Sequence, residues 1–110
     1  MSINKVILLG YLGDEPKTIH FNDGQTSTVR IATNTIYTNR NNEKVTDTDW
    51  HTLVFKGKLS VAAEKHFKKG LKIAVEGSLK SRTYEHNNEK KYITEVLVSS
   101  FTFEDVNPNS

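Results

Sequence analysis

No cysteine occurs among the 110 residues, which excludes disulfide staples and thiolate metal sites. The longest unbroken apolar run is Val6-Ile7-Leu8-Leu9, far short of a membrane span. The opening Met1-Ser2-Ile3-Asn4-Lys5 lacks the apolar stretch of a secretion signal. No glycine-rich loop leads from a strand pattern into a helix pattern, so nucleotide hydrolysis has no signature. The four histidines, His20, His51, His66 and His86, have no i+4 histidine partner. A metal site would have to be assembled wholly by the fold, and neither a metal nor a cofactor is expected. Asp49 and His51 share one strand face, but His51 points with Leu53 and Phe55. A buried or interface histidine fits that position better than a catalytic base. These absences predict a non-enzymatic protein of the cytosol.

Neither sign of charge dominates. Fifteen Lys and Arg stand against 13 Asp and Glu, for a formal net charge of +2. The distribution is less even. Residues 56–72 hold Lys56, Lys58, Lys65, Lys68, Lys69 and Lys72 against one acid, Glu64, and Lys80, Arg82, Lys90 and Lys91 follow. Acids collect at 14–15, 43–49 and 104–105. A hydrophobic share of 35% suits one domain with one small core, and a domain this small gains from oligomerisation.

Alternating apolar residues and turn signals predict strands over 4–12, 25–37, 50–56, 71–84 and 90–103. The first has apolar residues on both faces, so it is expected to be buried. Gly10 and Gly13 mark a bulge or bend near its end, and Pro16 breaks the ladder beyond it. Leu59, Ala62, Ala63, His66 and Phe67 follow helical spacing and predict a helix over 59–69. Gly70 would be its C′ residue, and Lys68 and Lys69 would face the negative end of its dipole. The polar stretches 38–44 and 85–89 read as exposed hairpin tips. Three strands, a helix and two strands is the element order of the OB-fold, a five-stranded barrel. The predicted class is therefore all-β, with one short helix between the third and fourth predicted strands. The domain is expected to span 1–104, with a frayed end at 105–110.

Most aromatic side chains belong in a core, and Phe55, Phe67 and Phe101 fit there. Trp50 and Tyr84 do not. Alternation sets Trp50 with Thr52 and Lys56, away from Leu53 and Phe55. It sets Tyr84 with Lys80 and Arg82, away from Val75 and Leu79. An aromatic on a polar, basic strand face suits sequence-tolerant base stacking. An oligomer contact is the competing reading, because it too favours Trp and Tyr. Tyr37 alternates with Val29 and Ile31. It leaves the core only if its strand bulges or runs past the barrel into a hairpin arm. Lys56, Lys80 and Arg82 alternate with the candidate stackers and are candidates for phosphate contacts.

Six segments in order carry a family resemblance: Asn4-Lys5-Val6-Ile7-Leu8-Leu9-Gly10 with Leu12-Gly13 and Pro16; Ile31-Ala32-Thr33; Asp49-Trp50-His51; Gly57-Lys58-Leu59 leading to Ala63-Glu64 and Lys69-Gly70; Val75-Glu76-Gly77 with Leu79 and Arg82; and Tyr92-Ile93-Thr94-Glu95-Val96. From about Asn4 to Phe103 the chain resembles the bacterial-type single-stranded-DNA-binding proteins of the OB-fold class. The resemblance implies stacking aromatics at Tyr37, Trp50 and Tyr84. It implies phosphate contacts at Lys58, Lys69, Lys80 and Arg82, and a subunit-interface role for His51. The implied partner is single-stranded DNA, and the implied assembly is a homotetramer, with a dimer as the alternative. A further aromatic expected at the end of the third strand falls on Lys56 here, trading a stacking platform for a phosphate contact. Cellular members continue into an acidic tip that recruits repair and replication enzymes. This sequence stops at Asp105-Val106-Asn107-Pro108-Asn109-Ser110, so such recruitment is not expected; the two readings are a naturally short version, as from a phage or mobile element, and a form cut short of its tail. An OB-fold accessory module of the primosome type and an RNA-binding OB module stand as alternatives.

Overall fold

Among the described residues, seven segments take up regular structure: β1 (Val6–Leu12), β2 (Lys17–Phe21), β3 (Gly24–Thr38), β4 (Lys44–Lys56), α1 (Lys58–His66), β5 (Lys72–His86) and β6 (Glu89–Phe103). The structure, a computed structural model, describes residues 1–103. The frayed end expected at 105–110 lies outside the described residues. Strand order is β1-β5-β6-β4-β3-β2, and β1 also pairs with β3. That last pairing closes β1, β5, β6, β4 and β3 into a five-stranded barrel. One helix follows β4, as the OB-fold order requires.

Closure is narrow on both sides. Between β1 and β3 it consists of Tyr11↔Ala32 and Leu12↔Ile31. Between β4 and β6 it is the parallel pair Leu53↔Val96 and Val54↔Leu97. Gly10 permits the first contact, because a Cβ there would collide with the Ala32 carbonyl. Its role is close backbone approach, not the bulge expected from its position in the strand. The bulge falls instead where Glu76↔Ser100 gives way to Gly77↔Val98, leaving Ser99 unpaired.

The core holds Leu12, Val29, Ile31, Leu53, Phe55, Ala63, Phe67, Ile73, Val75, Val96 and Val98. Phe55, Phe67 and Phe101 meet edge to face, with centroids 5.1–5.7 Å apart. Helix α1 packs on β3 and β4. Buried Ser27 and Ser60 hydroxyls lie 2.7 Å apart and tie β3 to the helix.

Four expectations need correction. First, β2 was absent from the predicted strands. Its residues on the barrel side are Thr18 and His20, both polar, while the apolar members of the alternation, Ile19 and Phe21, are exposed and add nothing to the core. Thr18 Oγ1 lies 2.7 Å from Ser27 Oγ, and His20 Nε2 lies 3.1 Å from Glu64 Oε2 on α1. Second, the helix ends at His66, short of 69. Phe67 turns extended to enter the core, and Gly70, with φ of 91°, occupies a turn. There its N–H donates to the Leu12 carbonyl at 2.8 Å, and the Leu71 N–H to the Lys68 carbonyl at 3.1 Å. Third, β1 is not buried on both faces. Ile7, Leu9 and Tyr11 are exposed on its outer side. Fourth, Leu79 is exposed rather than part of the core, because β5 outruns the barrel.

Two arms extend the barrel. Pairing of β3 with β4 runs without a register shift from Thr26↔Lys56 to Thr38↔Lys44. That explains why β4 begins at Lys44 and not at Trp50: residues 44–49 pair backbone to backbone with no core to mark them. The second arm runs from Gly77↔Val98 to His86↔Glu89. Its tip, Asn87-Asn88, has positive φ at both residues, which asparagine tolerates and a tight hairpin turn demands. The Asn4 side chain brackets the root of this arm, donating to the Leu79 carbonyl at 2.9 Å and accepting from its N–H at 2.8 Å.

Candidate nucleic-acid interface

Residues directly opposite one another in a sheet share a face. The register therefore defines the outer surface without ambiguity. Across β3 and β4 the outer pairs are Ala32↔Trp50, Arg30↔Thr52, Thr28↔Val54 and Thr26↔Lys56. β2 continues that face with Lys17↔Thr28, Ile19↔Thr26 and Phe21↔Gly24. On the other side, Val54↔Leu97 hands the face to β6 and β5. There Lys80↔Glu95, Arg82↔Ile93 and Tyr84↔Lys91 carry it along the arm. Trp50, Lys56, Lys80, Arg82 and Tyr84 thus lie on one continuous outer face: alternation set Trp50 with Lys56 and Tyr84 with Lys80 and Arg82, and the register joins the two groups.

Trp50 is 51% exposed. The Arg30 guanidinium carbon sits 5.0 Å from its ring centre, a cation–π contact. Gly13 leaves room for the ring edge, since any Cβ there would overlap it. Arg30 Nε also donates to Asp14 Oδ2 at 2.9 Å. That hydrogen bond holds the Asp14 carboxyl below its ordinary range, with help from the charges of Lys69 and Lys17. Arg30 is therefore held between the Asp14 carboxylate and the tryptophan ring. Arg30 was not among the residues singled out from the sequence. Its alternation with Val29 and Ile31 set it facing outward, but only the register with β4 sets it beside Trp50.

Arg82 is less free than alternation implied. Its Nε donates to Glu95 Oε1 at 2.9 Å and its Nη2 to Oε2 at 3.3 Å. Glu95 is buried to 8% exposure, and a buried carboxylate needs such a partner. Lys80 stands opposite the same acid in the register but forms no ion pair with it. Lys91 pairs with Glu89 at 3.1 Å. By contrast Lys17, Lys56 and Lys80 form no ion pair among the described residues.

The remaining predicted residues are scattered. Tyr37 is 45% exposed on the β3–β4 arm. The unbroken register rules out a bulge in that pairing, so Tyr37 is exposed because its strand runs past the barrel. Its alternation still sets it on the side of Ile31, while exposed Ile36 shares the face of Trp50. Lys58 is the exposed first residue of α1, and exposed Lys69 lies in the turn before β5. His51 is half-buried, with Nε2 2.9 Å from Thr33 Oγ1. Among the described residues no three His, Asp or Glu side chains gather in a metal-binding group. No described helix is long and apolar enough to cross a membrane.

The model of the single-strand binding protein family matches residues 3–104. A solved structure described as "Plasmodium falciparum SSB complex with ssDNA" is similar to this chain at 35% sequence identity, with a TM-score of 0.84. The match covers 96% of this chain and 97% of that one. At that extent and identity the likeness covers sequence as well as fold. The chain belongs to the single-strand binding protein family.

Proposed function

We propose that the protein binds single-stranded DNA without sequence preference, stacking bases on exposed aromatics and neutralising phosphates with lysine and arginine. The observation that carries this is a half-exposed tryptophan on a sheet face lined with cations. Every base has a π-face, so such a surface accepts any sequence. Trp50, Tyr84 and Tyr37 are the stacking residues in this reading. Lys56, Lys58, Lys69, Lys80 and Arg82 contact phosphates, and Arg30 joins them beside Trp50. Residues 1–104 form the single binding domain. It works by coating strands exposed in replication, recombination and repair in the cytoplasm, without catalysis. The exposed apolar row Ile7, Leu9 and Tyr11 supports assembly into a homo-oligomer, a tetramer in this reading, with His51 at a subunit contact.

Titration with oligo-dT tests the reading. Trp50 is the one tryptophan in the chain, so its emission should be quenched as bases stack on it. An unchanged spectrum at low salt would rule the stacking surface out. Lys56 gives a second test. Each phosphate neutralised on a single strand adds about 0.7 to the slope of log K against log salt. Lys56→Gln should therefore flatten that slope by about 0.7, measured by titrating at several salt concentrations. An unaltered slope would remove Lys56 from the phosphate contacts.

A further inference from the structure

Two large apolar side chains on β2 have no structural explanation within the chain. Ile19 is 62% exposed and Phe21 56%. Their direction is fixed, because Thr18 and His20 are committed to the opposite side by Ser27 and Glu64. Neighbouring apolar residues left in water on one strand mark a contact surface. The register sets that surface on the face of Trp50: Ile19 is opposite Thr26, which is opposite Lys56. Phe21 is opposite Gly24, where even an added Cβ would meet nothing within 4 Å. The ring therefore stands free of neighbours on that side, with space for a flat partner.

We propose that Phe21 is a further base-stacking residue, and that with Ile19 and Lys56 it extends the path of the DNA strand from Trp50 across β3 to β2. The inference rests on the single-strand-binding reading above and adds a subsite to it. Charge selects this occupant over an apolar protein partner. Lys17 and Lys56 lie on the same face as Ile19 and Phe21, and neither forms an ion pair among the described residues. Apolar platforms alternating with unpaired cations are what a chain of bases and phosphates requires. The distance is also suitable. Trp50 and Lys56 are six residues apart on β4, about 20 Å at ~3.3 Å per residue. An OB-fold binds roughly 4–16 nucleotides, so a path that long has room for more than one platform.

Phe21→Trp in a Trp50→Phe background carries a single reporter at position 21. Its emission should be quenched by oligo-dT at low salt. In the otherwise unaltered chain, Phe21→Ala should weaken oligo-dT binding by about 5-fold to 150-fold, the range for losing one stacked base. Phe21→Tyr should retain most of the affinity, which a merely apolar contact would not require. The melting temperature of Phe21→Ala should stay close to that of the parent, because more than half of Phe21 is already exposed and it belongs to no part of the core. Quenching at Trp50 of the parent, with none at position 21 and no loss in Phe21→Ala, would overturn this inference and leave the broader reading standing. A change in solution mass with unaltered affinity would make β2 a subunit contact and overturn it as well. Absence of quenching at Trp50 in the parent would remove both.

Discussion

Trp50→Ala is expected to weaken oligo-dT binding by about 1–3 kcal/mol, roughly 5-fold to 150-fold, while leaving the fold nearly as stable as before. Both halves follow from where the ring lies. Its neighbours within the chain include Arg30 over the ring and Gly13 at its edge, and about half of the residue is exposed. A cation–π contact at an exposed site contributes about 0.5–1 kcal/mol, and Arg30 keeps its bond to Asp14 without it. With half of the residue already in water, the loss in stability should stay well below the roughly 3–5 kcal/mol of a fully buried ring. The loss in binding should be larger, because the ring offers a stacking surface that no neighbouring side chain replaces. The variant lacks a fluorescent reporter, so calorimetry or filter binding must measure it, with thermal unfolding alongside. Unchanged affinity together with a changed solution mass would reassign Trp50 to a subunit contact, the other role that an exposed tryptophan serves.

How far the site was legible depended on whether one strand or two carried the information. Alternation within a strand separated Trp50 from Phe55 and Tyr84 from Val75, and the register confirms both separations. Neighbour relations between strands were not legible. Arg30 beside Trp50, Glu95 beneath Arg82 and Ile19 in line with Lys56 all depend on register, which no single strand encodes. The element order pointed to the barrel because inward apolar residues mark β1, β3, β4, β5 and β6. It missed β2, whose inward residues bond to Ser27 and Glu64 instead of entering the core. The apolar residues of β1 were read as burial on both faces. Their outward set, Ile7, Leu9 and Tyr11, belongs to a surface that one chain leaves exposed. Tyr37 was ambiguous for a related reason: alternation tells which side of a strand a residue occupies, not where the barrel stops beneath it.

Phe55→Ala should lower stability by about 3–5 kcal/mol, the usual cost of deleting a buried phenylalanine ring. The ring is fully buried and meets Phe67 at 5.2 Å and Phe101 at 5.7 Å, both edge to face. It joins β4, β6 and the segment after α1 close to the narrow β4–β6 closure, which has two residue pairs, so little backbone pairing backs it up. Small domains have roughly 5–15 kcal/mol of total stability, and this loss would use a large part of it. Urea unfolding should show the midpoint falling sharply. The adjacent Lys56→Gln, on the outer face, should stay within about 0.5 kcal/mol of the parent. DNA provides the decisive control. A ligand that binds only the folded state adds about 2.7 kcal/mol at a hundred times its Kd. Saturating oligo-dT should therefore restore much of the stability that Phe55→Ala loses, because its outer face is intact. The reverse result, normal unfolding with binding abolished, would mean that Phe55 faces the DNA and that the assignment of faces along β4 is wrong.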